Sequence, residues 1–307
     1  MKIEQDSQTD GHTERHTDRQ SDTHTHTHTH TQIDGKVYKS LKTGAALALT
    51  SYDRIVFPHT ISHCFYLPSF LLPVSLMVGS TGVLPPPEGY LKRLREICTK
   101  HGILLIFDEV ITGFGRLGAS FAADKFDVNP DMITCAKGMT NGVVPAGAVI
   151  CREGLYSTVM DSANREGKAS HIEFFHGYTY SGHPLAMAAG IATLQIYEEE
   201  KLFQRADDLA PYFQEALHSL KGLPHVVDVR NCGLMGAVEF APVPGLPTKR
   251  AGDIFDRCFK KKSFVRPTGS TVAMSPPLCF EKKDVDRLIT TLAESILESS
   301  KQLDVNR

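Results

Sequence analysis

Tryptophan is missing from the 307-residue chain, and the seven cysteines include no Cys-x-x-Cys pair. Scattered thiols exclude a disulfide framework and a zinc ribbon, and they point to a reduced, intracellular protein. A formal net charge of −2 leaves no electrostatic case for a nucleic-acid or anionic-membrane partner. Nor is there a clean apolar run of membrane length. The longest candidate, IVFPHTISHCFYLPSFLLPVSLMVG, is broken by three prolines and two histidines, whereas a spanning helix needs about 20 mostly apolar residues. What the chain does have, 41% hydrophobic and 22% charged residues, is ordinary for a globular protein.

The first 50 residues have little that could fold. They contain almost no apolar side chains up to Gln32 and include an alternating Thr-His tract. Such a segment cannot bury enough surface to offset its chain entropy, so 1–50 is expected to be disordered. Alternating histidines with no second ligand cluster make a poor metal site, and no metal is expected. A strict dipeptide repeat is also what a translated dinucleotide repeat produces, so a faulty gene model is a competing account of this leader. It carries several acids, unlike a mitochondrial presequence, and it lacks a secretory core. Residues 51–78 are expected to be irregular.

From residue 79 the pattern becomes regular. GYLKRLREICTKH places Leu91, Leu94 and Ile97 at helical spacing, and Gly102 reads as the stop. Ile103–Phe107, Asp131–Ala136 and Ala146–Cys151 read as short buried strands, and Pro184–Leu202 as a long helix with proline in its first turn. Alternation of this kind predicts an α/β unit with a mainly parallel sheet over 79–205. Beyond it, an amphipathic helix over Ala210–Leu220, a glycine-centred strand pair in VVDVRNCGLMGAVEFA and a closing helix over Lys282–Ser300 predict an α+β unit over 206–303.

Two residues stand out chemically. Asp108 ends a strand that is otherwise apolar, at the edge where open parallel sheets hold ligands. A carboxylate buried there needs a cation, either Arg116 or a protonated ring nitrogen. Lys137 follows the next apolar strand among small residues, 29 positions further on. Desolvation would lower its ammonium pKa and free the amine as a nucleophile. One crossover separates the two, so both fit one crevice.

LLIFDEVITGFGRLG followed by PDMITCAKGMTNGVVPAGAV resembles the signature of the class III aminotransferases, pyridoxal-phosphate enzymes of the aspartate aminotransferase fold (fold type I). The similarity runs from about Gly79 to Ser300 and includes IEFFHGYTYSGHP and FVRPTGSTVAMSPPL. Within the family it is strongest to the omega-amino acid (β-alanine):pyruvate aminotransferases. The resemblance implies pyridoxal 5'-phosphate as cofactor, with Lys137 carrying the Schiff base and Asp108 paired with the pyridinium nitrogen. It implies Val110 packed on the ring, and Thr179 bonding the cofactor phosphate across a homodimer interface. Arg266 would clamp a substrate carboxylate. The expected reaction moves an amino group from an omega-amino acid such as β-alanine to pyruvate, a 2-oxo acid. Glu109 is expected to support its neighbour, and His183 to be structural. Residues 1–78 contain neither the glycine/serine-rich phosphate turn nor the stacking aromatic of the family. The expected chain is therefore a large-domain remnant plus a small domain. An aminomutase-like member and a truncated, inactive homologue are the alternative readings.

Overall fold

The computed structural model describes residues 46–50, 71–158 and 177–305. Of the leader expected to be disordered over 1–50, residues up to 45 lie outside them, whereas Ala46–Thr50 forms a strand, against that expectation. Residues 51–70 of the segment expected to be irregular, and residues 159–176, also lie outside the described residues.

Two sheets organise the described residues. The first contains β1 (Ala46–Thr50), β2 (Leu71–Ser75), β3 (Leu104–Asp108), β4 (Met132–Ala136) and β5 (Gly147–Cys151), in the order β1-β5-β4-β3-β2. β2, β3 and β4 are parallel, and β5 pairs antiparallel with both β4 and β1. Four strands thus run one way and one against them, a mainly parallel sheet. β2 is a finding in its own right, because Leu71–Ser75 falls in the stretch expected to be irregular. It pairs residue for residue with β3, from Leu71 beside Leu104 to Ser75 beside Asp108.

Helix α1 (Tyr90–His101) leads into β3. Leu91 and Cys98 are buried, Leu94 packs partly against the core, and Ile97 stays exposed. Gly102 ends the helix in the left-handed conformation (φ 66°), and its N–H reaches Cys98 and Thr99 carbonyls. A residue without Cβ enters that region at no steric cost. Asp131, 6% exposed, ties the unit together at the start of β4. Its carboxylate accepts from Arg95 (2.7 Å), Arg152 (2.9 Å) and the Leu105 amide (2.8 Å). Burial alone would raise this carboxyl; the bonds from Arg95 and Leu105 and the two guanidinium charges outweigh it and hold the group below the usual range.

The second sheet has the order β6-β7-β9-β8, all antiparallel: β6 (Val226–Cys232), β7 (Met235–Phe240), β8 (Arg266–Thr268) and β9 (Thr271–Met274). Helices α4 (Leu202–His218), α5 (Lys249–Lys260) and α6 (Lys282–Val305) pack with it. The long helix expected over 184–202 ends at Glu199, three residues short. α3 (Pro184–Glu199) ends on Glu198, Glu199 and Glu200, a run of acids that opposes the negative end of the helix dipole. Lys201 (φ 51°) then turns the chain, and α4 starts at Leu202 rather than Ala210. One contiguous core, from Leu76 to Ile296, runs through both sheets. Among the described residues no helix is long and apolar enough to cross a membrane, and no group of ligands could hold a metal ion.

Candidate active site

The parallel pairing of β3 with β4 sets Asp108 beside Thr134. Asp108 is the last residue of β3, and Lys137 follows the last residue of β4 in a 3-10 turn, Lys137–Met139, joined to β3 through the short helix α2 (Ala122–Lys125). Both residues therefore lie at the same edge of the sheet, as their spacing predicts. The carboxylate is not buried, however. β3 is covered through Phe107 and emerges at Asp108, whose side chain is exposed. Asp108 Oδ1 accepts the Val110 N–H at 3.0 Å, a local bond that fixes the carboxylate against its own backbone. Val110 is half-buried beside it.

Arg116 is not the partner of Asp108. Its Nη1 donates to the Pro276 carbonyl at 2.5 Å, and its own carbonyl accepts the Leu234 N–H. It joins the 109–121 loop to the second sheet, and burial pushes its guanidinium below the ordinary arginine range.

The buried acid is the neighbour. Glu109 is 0% exposed and accepts from the Thr112 hydroxyl (2.5 Å) and the amides of Ala122 (2.9 Å) and Ala123 (2.8 Å). Desolvation raises its pKa against the pull of those three donors. Glu109 folds the loop that follows Asp108 back on itself, a specific form of the support expected from it.

Lys137 is solvent-exposed, which the small residues around it do not foretell. Partial desolvation still lowers its pKa; the Asp108 carboxylate opposes that shift and the Arg266 guanidinium adds to it. Asp108 and Arg266 are thus the two charges that act on the Lys137 amine. Arg266 opens the edge strand β8 and is exposed. Its strand is brought to the first sheet by the turn at 79–82: Thr268 Oγ1 donates to the Ser80 carbonyl (2.7 Å), and Arg230 Nε to the Gly82 carbonyl (2.8 Å).

Thr179 lies in an exposed turn, Gly177–Gly182, where the Tyr178 amide donates to Ser181 Oγ at 2.9 Å. Among the described residues no hydrogen bond or charge contact links Thr179 to Asp108, Lys137 or Arg266. His183 caps α3, its Nδ1 accepting the Leu185 N–H at 3.2 Å, and is structural as expected. Tyr197, which sequence reading missed, donates its hydroxyl to the Gly138 carbonyl at 2.7 Å. The signal available for it was the spacing of Ala186, Gly190, Thr193 and Tyr197 on one buried face of α3.

The family model described as aminotransferase class-III matches residues 74–296, so the match starts upstream of Gly79 and takes in the end of β2. An omega-aminotransferase of Caulobacter vibrioides is 52% identical over 251 residues, which cover 82% of this chain and 55% of the relative. A beta-alanine–pyruvate aminotransferase of Pseudomonas aeruginosa is 48% identical over 223 residues, 73% of this chain and 49% of the relative. Among solved structures, a transaminase from the marine bacterium Virgibacillus superposes with a TM-score of 0.68 at 34% identity, covering 75% of this chain and 53% of that one. A transaminase with L-ala gives 0.70 at 28% identity, covering 76% and 55%. The chain spans about half the length of the curated relatives it matches.

Proposed function

The chain belongs to the class-III aminotransferase family, with the aspartate aminotransferase-like α/β fold, and on that premise we propose that it serves pyridoxal-phosphate-dependent transfer of an amino group from an omega-amino acid, such as β-alanine, to pyruvate. The observation that carries the proposal is the placement of Asp108 and Lys137 at the ends of the adjacent parallel strands β3 and β4. The names of the most similar relatives, transaminases of omega-amino acids and β-alanine, supply the substrate class and favour transamination over an aminomutase.

The residues fit the cofactor. Lys137 offers an accessible amine whose proton is loosened by desolvation, as covalent attachment to a carbonyl requires. Asp108 offers an exposed carboxylate, held by the Val110 amide, as the acceptor for a protonated ring nitrogen. Val110 supplies an apolar surface beside it. When bound, the cofactor supplies an electron sink for the carbanion formed at the amino-bearing carbon. Lys137 is then the group placed to take up and return the proton at that carbon. Arg266 binds the substrate carboxylate through its planar fork, a role lysine could not fill equally. Thr179 serves the cofactor phosphate of a second subunit in a homodimer. Exposed Tyr178 (61%), Tyr180 (65%), Leu185 (61%) and Ile191 (60%) around it are the kind of surface a partner subunit would cover. Free thiols at all six described cysteines agree with an intracellular setting.

The test is spectroscopic. The purified chain mixed with pyridoxal 5'-phosphate should develop a visible absorbance band that borohydride traps, with the label on a Lys137 peptide and none in Lys137→Ala. Absence of the band, or label elsewhere, would overturn the assignment. Arg266→Ala should weaken pyruvate binding on the order of tenfold or more, the worth of a charge-assisted pair.

A further inference from the structure

Lys137 has a backbone that a lysine does not choose. Its φ is 46°, in the left-handed region that costs an L-residue with a Cβ about 1–2 kcal/mol. Such a residue persists only where its surroundings over-determine it. Here the surroundings are specific. The Gly138 carbonyl accepts the Tyr197 hydroxyl at 2.7 Å, across 59 residues of sequence. The Tyr197 ring is fixed in turn, with Phe203 at 4.9 Å and Phe114 stacked at 6.3 Å. Phe114 also backs Gly138, where an added Cβ would come within 2.8 Å of the Phe114 Cβ. Further along the turn, the Thr140 hydroxyl donates to the Val144 carbonyl at 2.5 Å, and the Thr140 amide to the Lys137 carbonyl at 3.3 Å.

We propose that Tyr197 is a positioning residue for Lys137. Its hydroxyl pins the carbonyl of Gly138, the residue after the lysine, and so holds the left-handed turn from which the amine projects. The tyrosine is 8% exposed and sits on α3, the helix that packs against the Lys137–Met139 turn. Burial favours its neutral form, against the Arg116 charge, and so preserves the donor. The proposal rests on the reading of Lys137 as the reactive amine.

The experiment compares the 307-residue chain with its Tyr197→Phe and Tyr212→Phe variants. Each variant deletes one hydroxyl and keeps its ring; that of Tyr212 bonds Asp286 at 2.5 Å, between α4 and α6. Lysines are reductively dimethylated with 13C-formaldehyde, Lys137 is assigned by its loss in Lys137→Arg, and its NMR signal is titrated with pH. In Tyr197→Phe the Lys137 midpoint should rise toward the free-lysine value by about half a pH unit or more, as the turn relaxes and the amine gains water. In Tyr212→Phe it should stay at the wild-type position. An unmoved midpoint in Tyr197→Phe, or an equal rise in both variants, overturns the proposal. The titration needs no cofactor. A wild-type chain that forms no visible band while Tyr197→Phe still shifts Lys137 would count against the functional assignment and for the positioning role.

Discussion

The two sheets are covered to different degrees. In the four-stranded sheet, the inner strands β9 and β7 are buried at every position and at all but one, under helices the same sequence provides, while the edge strands β6 and β8 are mostly not buried. In the five-stranded sheet, β2 alternates between exposed and half-buried, and β4 and β5 are mostly half-buried. The candidate site sits at the end of the thinly covered sheet and draws Arg266 from an exposed edge strand of the other. Stability and chemistry are thus concentrated in different places, and the connection between them runs through the Ser80–Thr268 and Arg116–Pro276 bonds.

Four substitutions probe that division. Phe213→Ala strikes the densest packing, where the ring is 0% exposed and lies close against Gly236. It should cost about 3–5 kcal/mol, read as a drop in the urea midpoint. A loss no larger than that of an exposed-face variant would erase the contrast between the sheets. Asp131→Asn removes the anchor of the five-stranded sheet and should cost about 2–3 kcal/mol at neutral pH. The sign with acid follows from the depressed carboxyl. Its contribution is present above the unfolded carboxylate pKa and lost as pH falls through the lower folded value. Wild type should therefore lose its advantage over the variant on acidification, and an advantage that persists below that window would disprove the account. Thr140→Val deletes one hydroxyl bond in the Lys137 turn and should cost about 1 kcal/mol; a Tm equal to wild type would mean the turn does not need it. Ile191→Gln, on the exposed side of α3, should change monomer stability by less than about 0.5 kcal/mol. Sedimentation should nonetheless show weaker self-association, and unchanged association would move the partner surface elsewhere.

Much of this was open to reading from sequence. The apolar runs that end at Asp108 and before Lys137 fix two strands, and one crossover between them fixes a common edge. Direction was harder, since a short apolar run such as GAVIC looks the same parallel or antiparallel. Exposure was harder still. A strand buried through Phe107 does not announce that Asp108 emerges, and Ala136 and Gly138 suggest burial for a lysine that is open. Arg116, eight residues from Asp108, was one of the two cations considered for it, yet its half-buried guanidinium serves the Pro276 carbonyl 160 residues away. Tyr197 illustrates the same limit, because a hydroxyl aimed at a backbone carbonyl 59 residues distant leaves no motif behind.

The left-handed lysine has a cost beyond its geometry. Its conformational penalty belongs to the backbone and would fall on almost any residue placed there, but least on asparagine or glycine. Lys137→Asn should consequently melt higher than the wild type while losing the amine altogether. Selection for stability alone would discard the lysine, so its presence records a demand that folding does not make.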